Sequence, residues 1–344
     1  MNHDVSKYKK LGDSMKFLFS RIKGLVATIL GLTVALSGFS AFAQAWPTAK
    51  PVKIILPSAP GGSSDPLARM MAEELGRTLG GNFIVENRPG ANGNIGASLV
   101  AKADPDGYTI LFSWTGTLIS AVTMYKTRPF HPVTDFEPIV LIGSIPNVIT
   151  VDARLPIKTL NDLTEYAKKN PNKINFGSTG SGSSWHLAAE LYKKTMDVKM
   201  VHVPYTSPAA VNKDLIGGDL QAVFPGTMAV SALVKDGRLR ALAVMSDTRT
   251  SVMPDVPTTK ELGFPELQST TWFAFLAPKG TSKEIVQKLN QAVNTILAKP
   301  EVRQRMSNLG YAQLGGTSKQ FTDYMGEEIK KWGSIVEFSG AKID

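Results

Sequence analysis

The chain has no cysteine among its 344 residues. This absence excludes disulfide scaffolds, thiolate metal sites, iron–sulfur clusters, cysteine nucleophiles and a lipid-modified N-terminal cysteine. The sequence also lacks the motifs of zinc proteases, of P-loop and dinucleotide-binding folds, and of the serine-hydrolase nucleophile elbow. Its histidines are too widely spaced for a local metal motif. We therefore expect neither a metal ion nor a cofactor.

Long apolar runs are absent except near the N-terminus, where residues 1–45 are typical of a secretory signal peptide. Basic residues precede an apolar run over 24–42, and small residues follow it. The predicted cleavage follows Ala43 or Ala45, and either the first Met or Met15 is the start. An uncleaved membrane anchor is the alternative, but the run is marginal for a span of about 20 apolar residues. We expect the mature chain to lie outside the cytoplasm.

The charge of the chain bears on its partners. Basic residues outnumber acidic ones, 38 Lys and Arg against 29 Asp and Glu, and part of this excess belongs to the predicted signal peptide. The remaining excess is scattered without a basic run, which argues against nucleic-acid binding. It modestly favours anionic small molecules.

Strands alternate with helices along the mature chain. A buried strand at Val52–Leu56 leads through a loop rich in glycine and serine into a helix that Asp65 is expected to cap. A second unit of this kind has a strand at 174–176, a loop at 177–184 and a helix at 185–194. The alternation predicts α/β layers with largely parallel sheets. Since no linker separates two domains, we expect domains joined by crossing strands.

Helical spacing predicts several local contacts. A capping-box pattern at Thr281 predicts a helix over 283–298, and another at Thr317 predicts the last helix. Arg69 lies four positions after Asp65, which favours an ion pair between them over a ligand contact.

The two loops that follow strands, 60–65 and 177–186, share one composition and one position before a helix. The first N–H groups of a helix have no internal partners and carry partial positive charge. Glycines let this backbone approach a ligand, and hydroxyls add donors, so such a turn binds carboxylate or phosphate without arginine. Either loop alone is compatible with an ordinary strand–helix connection. Together they predict an anion site between two lobes.

Successive blocks of the sequence resemble the substrate-binding proteins of tripartite tricarboxylate transporters, also called Bug proteins. The blocks include PSAPGGSSDPLAR at 57–69, VENRPGANGNIG at 85–96 and AKADPDGYTIL at 101–111. Further matching blocks follow in family order, and the resemblance covers nearly all of the mature chain. It implies a periplasmic protein that captures a small carboxylic acid and delivers it to the permease subunits of a membrane transporter. It implies no covalent chemistry, and we expect a monomer that is not an enzyme.

The same resemblance implies an α/β, two-lobed periplasmic binding protein fold of the Venus flytrap kind, type II-like, with the ligand in the cleft. Lobe 1 would span 46–147 plus 268–344, and lobe 2 would span 148–267, with crossings near 145–151 and 269–275. One ligand carboxylate is expected between the two loops, held by backbone N–H groups, hydroxyls and ordered water. The predicted ligand-binding residues on and beside the loops are Ser58, Gly62, Ser63, Ser64, Asp65, Ser178, Thr179, Ser181, Ser183, Ser184, His186 and Tyr205.

Departures from the family pattern bear on the ligand. Pro225 and Gly226 stand where the family often has Asp, which disfavours recognition of an amino acid's ammonium group. Trp185 replaces a small residue, and Trp114 lies in a loop that leaves a strand. Either tryptophan could stack on an aromatic ligand or pack against its neighbours. We predict a carboxylic acid without an amine, with aromatic and dicarboxylic acids as candidates.

Two other functions remain open at this point. A sensor that presents its ligand to a membrane histidine kinase would share these features with a transport protein. An exported serine hydrolase could pair Ser183 or Ser184 with His186, but no residue nearby in sequence is suited to orient the imidazole.

Overall fold

The computed structural model describes residues 46–341 without 61–63, and its strands form two sheets flanked by helices. The predicted signal peptide lies outside the described residues. In chain order the strands are β1 (Val52–Leu56), β2 (Phe83–Asn87), β3 (Thr109–Trp114), β4 (Phe136–Pro146), β5 (Val148–Asp152), β6 (Asn175–Ser178), β7 (Val201–Pro204), β8 (Ala222–Val223), β9 (Leu239–Val244), β10 (Thr270–Pro278) and β11 (Ala312–Gln313).

The helices lie between these strands, as the alternating pattern predicts. In chain order they are α1 (Ser64–Leu79), α2 (Asn94–Ala101), α3 (Thr115–Thr123), α4 (Leu160–Lys169), α5 (Ser184–Met196), α6 (Pro208–Gly217), α7 (Ser231–Lys235), α8 (Lys283–Ala298), α9 (Pro300–Asn308) and α10 (Ser318–Ser339). Within the described part of the chain, none of them has the length and apolar character needed to cross a membrane.

Pairing within the two sheets is mixed rather than largely parallel. In the six-stranded sheet, ordered β11-β4-β10-β3-β1-β2, only β1 pairs in parallel, with β2 and β3. In the five-stranded sheet, ordered β7-β6-β8-β5-β9, β6 pairs in parallel with β7 and β8, whereas β5 runs antiparallel to its neighbours. Among the described strands, all five antiparallel pairs involve β4, β5 or β10, which border the passages between the sheets.

The chain passes between the sheets at Asn147 and again between Met245 and Ser269, and these three buried residues bond to one another in a closed ring. The backbone N–H of Asn147 donates to the carbonyl of Ser269 at 2.8 Å. The N–H of Ser269 donates to the carbonyl of Met245 at 2.9 Å, and the N–H of Met245 donates to the carbonyl of Asn147 at 2.8 Å. The predicted crossing regions, 145–151 and 269–275, contain the first and the last of these positions.

Two of the predicted helix starts need correction, and one is confirmed. The first described residue of α1 is Ser64, so Asp65 lies in the first turn instead of capping the helix. Ser282 caps α8, whereas the hydroxyl of Thr281 donates to the carbonyl of residue 278. The capping box at Thr317 is present and begins α10, with Gln320 as its second member.

Candidate functional site

The loop between β6 and α5 carries two glycines in the left-handed region. Gly180 has φ 112° and Gly182 has φ 79°, conformations that other residues rarely adopt. Ser183 ends the loop as the N-cap of α5, and its hydroxyl accepts a hydrogen bond from the backbone N–H of His186 at 3.3 Å. The loop therefore presents the first N–H groups of α5, which a helix leaves without internal partners, at the edge of the five-stranded sheet.

The predicted hydroxyl donors of this loop have different surroundings. Ser178 is fully buried, and its Oγ lies 2.6 Å from Nε2 of His202 and 3.1 Å from both backbone groups of Gly180. These contacts of Ser178 stabilise the loop on its buried side. Three other hydroxyls are half-buried, have no hydrogen bond to a described residue and are free to meet a ligand. These three belong to Thr179, Ser181 and Ser184.

His186 lies behind the loop, where it is 2% exposed. Its Nδ1 accepts a hydrogen bond from the backbone N–H of Gly182 at 3.2 Å, and its Nε2 lies 3.7 Å from Oε1 of Glu190. Burial, with His202 and Lys193 nearby, lowers the pKa of His186 to about 3. The ring is therefore neutral, and its position favours support of the loop over direct contact with a ligand.

The geometry does not favour a catalytic pair of Ser183 or Ser184 with His186. A general base needs an imidazole nitrogen within hydrogen-bond reach of the serine hydroxyl. Among the described residues, the ring nitrogens of His186 contact Gly182 and Glu190, while Ser183 bonds to the backbone of the histidine.

The first loop is braced by an asparagine and an ion pair. Oγ of Ser58 lies 2.9 Å from Oγ of Ser64, and the side chain of Asn87 donates to the carbonyl of Ser58 at 3.0 Å. Arg69 holds the Asp65 carboxylate with two hydrogen bonds of 2.9 and 3.0 Å, which confirms the predicted ion pair. Because Arg69 binds it, the Asp65 carboxylate stabilises the first loop. Outside the described residues lie two further predicted ligand residues, Gly62 and Ser63.

A third strand–helix turn, between β3 and α3, lies directly against the second loop. A Cβ atom placed on Gly116 would lie 3.3 Å from the backbone nitrogen of Ser184 and 3.5 Å from the carbonyl oxygen of Gly182. The indole Nε1 of Trp114, a half-buried residue, is 3.3 Å from the same point. The end of the six-stranded sheet and the N-terminus of α5 therefore meet here.

No sequence pattern predicted the residues that hold this turn in place. Thr117 donates its hydroxyl to the carbonyl of Asn92 at 2.8 Å, and the Asn92 amide donates to the carbonyl of Gly116 at 3.3 Å. Next to them Asn94 is 3% exposed, and neither atom of its amide has a hydrogen-bond partner among the described residues. The asparagine-rich block 85–96 was a family signature in the sequence, but these long-range contacts had no local signal.

The remaining predicted ligand residues contact other parts of the protein. Trp185 is 7% exposed within an apolar cluster that includes Val148 and Leu215. Tyr205 donates its hydroxyl to Oδ2 of Asp214 at 2.8 Å, and burial together with that carboxylate raises the pKa of Tyr205 to about 12. Both residues border the second loop, with little surface left for a ligand on Trp185.

The comparisons identify the family. Residues 67–341 match the model of the family described as tripartite tricarboxylate transporter family receptor. The chain belongs to this receptor family.

The receptor is similar to BugT of Bordetella pertussis, with 33% identity over 318 residues, covering 92% of this chain and 97% of BugT. It is also similar in structure to the periplasmic binding protein BugD, with a TM-score of 0.76 and 33% identity, covering 85% of this chain and 98% of BugD. The R. palustris protein Rpa4515, solved with adipate, gives a TM-score of 0.80 and 33% identity, covering 87% of this chain and 100% of that protein. These similarities confirm the predicted periplasmic binding protein fold and the solute-binding role of the receptor.

The site of the receptor is thus rich in backbone donors and hydroxyls. Nowhere in the described residues do three or more histidine or acidic side chains form a group that could hold a metal ion. The chemistry available is hydrogen bonding by helix N-termini and by the half-buried hydroxyls of the second loop.

Proposed function

We propose that this receptor is exported to the periplasm as a monomer, binds a small carboxylic acid in a cleft between two lobes, and delivers it to the permease subunits of a tripartite transporter. One lobe carries the six-stranded sheet. The other carries the five-stranded sheet and spans 148–267. Ligand contacts with both lobes would favour the closed form over the open one.

The approach of Gly116 to the second loop carries this proposal. A Cβ atom on Gly116 would lie 3.3 Å from the backbone nitrogen of Ser184 and 3.5 Å from the carbonyl oxygen of Gly182. The N-termini of α3 and α5, which follow strands of different sheets, therefore lie next to each other, and Thr179 and Ser181 belong to the loop that precedes α5. A carboxylate beside them would meet partial positive charge from both helices.

The class of ligand is inferred from the groups near these two helix N-termini and from a relative. The adipate-bound relative supports an acid with more than one carboxylate. Pro225 offers no carboxylate for an ammonium group, and its carbonyl accepts a hydrogen bond from the N–H of Val148 at 2.8 Å. Trp114 is half-buried beside Gly116 and offers a face for an aromatic acid, whereas stacking on the packed Trp185 has less surface available. We infer an acid without an amine.

A thermal-shift screen of the purified full chain tests the binding role. The panel contains adipate, malate, citrate, benzoate and glutamate. A ligand at 100 times its dissociation constant adds about 2.7 kcal/mol of stability, which raises the melting temperature by several degrees. We expect a shift with at least one acid that lacks an amine. No shift with any acid, on folded protein free of co-purified ligand, would contradict the proposal.

Matched serine variants locate the site. Ser184→Ala removes a hydroxyl from the second loop, whereas Ser334→Ala removes one that bonds to the carbonyl of Lys331 on α10. We expect weaker acid binding in the first variant only. Mass spectrometry of the periplasmic protein tests export, with the mature N-terminus expected at residue 44 or 46.

A further inference from the structure

A stacked pair of histidines, the buried His186 and the half-buried His202, lies behind the second loop, and His202 has no place in the predicted ligand site. The rings of His186 and His202 stack with 4.1 Å between centroids and 28° between planes. Phe176 continues the stack, 5.0 Å from His202. The two imidazoles lie on different elements, one on α5 and the other on β7, so their contact joins the helix to the sheet edge.

His202 is linked to the first glycine of the loop through Ser178. That hydroxyl can donate one hydrogen bond and accept two. It donates to the carbonyl of Gly180 and accepts from the N–H of Gly180, each at 3.1 Å. The remaining contact, 2.6 Å to Nε2 of His202, is satisfied when the imidazole donates. The arrangement in which Ser178 donates to Gly180 therefore places the proton of His202 on Nε2.

His186 holds the second glycine directly. Its Nδ1 accepts from the N–H of Gly182, so this nitrogen carries no proton and the neutral ring has its proton on Nε2. Nε2 faces Glu190, whose carboxylate bonds to Lys193 at 2.7 Å. Burial lowers the pKa of both imidazoles, to about 3 for His186 and about 4 for His202. Both rings are accordingly neutral at the pH of the cell envelope.

We propose that His186 and His202 act together as positioning residues: the stacked pair fixes the N–H groups of Gly180 and Gly182, and with them the conformation of the loop that receives the ligand carboxylate. This inference rests on the proposed function for its consequence in binding. The hydrogen bonds themselves are a property of the receptor without ligand. Each histidine holds one of the two left-handed glycines, and loss of either would leave one half of the loop free to reorient.

Isosteric variants separate the hydrogen bonds from the packing. His186→Asn keeps an acceptor near the place of Nδ1, and His202→Gln keeps a donor near the place of Nε2. His186→Leu and His202→Leu keep apolar volume and remove those groups. Thr164→Val serves as a control for general destabilisation, since Thr164 is buried and bonds to Tyr192 away from the loop.

Amide hydrogen exchange by NMR on the ligand-free full chain decides the proposal. We expect exchange at Gly182 to rise about tenfold in His186→Leu, and exchange at Gly180 to rise similarly in His202→Leu, the scale of one lost hydrogen bond. The Asn and Gln variants and Thr164→Val should keep both amides close to wild type. Nitrogen shifts of the wild-type imidazoles should also show protonated Nε2 on both rings.

The proposal would be overturned if the glycine amides were as well protected from exchange in the leucine variants as in the isosteric ones. It would also be overturned if protection were lost equally in all the variants, including Thr164→Val. Titration with adipate tests the consequence, and we expect at least tenfold weaker binding in the leucine variants, with recovery in the isosteric ones. If wild-type protein binds no acid, the proposed function fails, while amide exchange still decides whether the pair positions the loop.

Discussion

Ser269 donates its hydroxyl to Oδ1 of Asn147 across 3.1 Å, at the point where the chain passes between the two sheets. The amide nitrogen of the same asparagine donates to the carbonyl of Phe224 at 2.7 Å. Asn147 has no exposed surface, so its side chain joins the crossing segment to β10 and to the end of β8 in a buried setting. These bonds reinforce the backbone ring at the crossing, which is where lobe closure would be accommodated.

Asn147→Ala is expected to destabilise the receptor by about 1–3 kcal/mol, because buried polar groups lose their partners. Urea denaturation measures this difference. Ser269→Ala is the matched variant, since it removes only one of the two side-chain bonds of Asn147 and should cost less than Asn147→Ala. An Asn147→Ala protein as stable as wild type would show that the crossing does not depend on this side chain.

Gly116→Ala should weaken ligand binding. Gly116 lies in the first turn of α3, and the added Cβ would lie 3.3 Å from the backbone nitrogen of Ser184, closer than an ordinary van der Waals contact. The added methyl group would therefore oppose the close approach of α3 to the second loop. We expect a smaller ligand-induced thermal shift, and a melting temperature without ligand that is unchanged or somewhat lower.

Gly326→Ala is the control for that experiment. Gly326 lies within α10, and a Cβ atom there would have no neighbour within 4 Å. This variant should gain helix stability and keep the ligand-induced shift of wild type. The same loss of shift in both variants would contradict a specific role of the Gly116 approach.

The two tryptophans should respond differently to truncation. Trp114→Ala removes a half-buried ring beside Gly116 and should weaken binding of benzoate by up to about tenfold relative to adipate, on the scale of an aromatic contact. Trp185→Ala empties part of an apolar cluster and should cost about 3–5 kcal/mol of stability. Calorimetric titration gives the affinity ratio, and urea denaturation gives the stability. If the ratio of the benzoate and adipate affinities is unchanged in Trp114→Ala, Trp114 does not stack on the ligand.

Local patterns in the sequence predicted the elements that carry their own signals. β1 and α8 have the expected bounds, because a β-branched apolar run and an amphipathic segment that follows capping residues each carry a local signal. The strands β4 and β5 were not predicted from local pattern, and the crossing near 145–151 came only from the family resemblance. The stretch from β4 to β5 is apolar almost throughout and buried on both faces, so periodicity cannot identify it as a strand or show that it changes sheets at Asn147.

The candidate site also combines features that local sequence predicts with contacts that it does not predict. Glycine, serine and a helix start predict a donor-rich loop at 177–184, and the structure contains it. Ser178 differs from the other hydroxyl residues of the loop because its Oγ contacts His202, a residue on the next strand. The closeness of Gly116 to Ser184 joins residues 68 positions apart in sequence. Such contacts depend on how the sheets pack, and no local pattern encodes them.

Acid should destabilise the receptor partly through the histidine pair. Unfolded histidine binds a proton below its ordinary pKa of 6.5, whereas folded His202 and His186 remain neutral down to about 4 and about 3. The unfolded state therefore binds more protons in this interval, and the stability contributed by the neutral rings is lost as the pH falls from 6.5 towards 3. Glu190 acts in the opposite direction, because burial raises its pKa and the folded state takes up its proton first.

Thermal denaturation between pH 7 and pH 4 measures the balance. The melting temperature of wild type should fall more steeply than that of the double variant His186→Asn/His202→Gln, because asparagine and glutamine do not titrate in this range. Glu190 is present in both proteins, so the difference between the two curves isolates the imidazoles. Parallel curves would mean that the histidine pair contributes nothing to the acid sensitivity, and that its protonation is compensated within the folded protein.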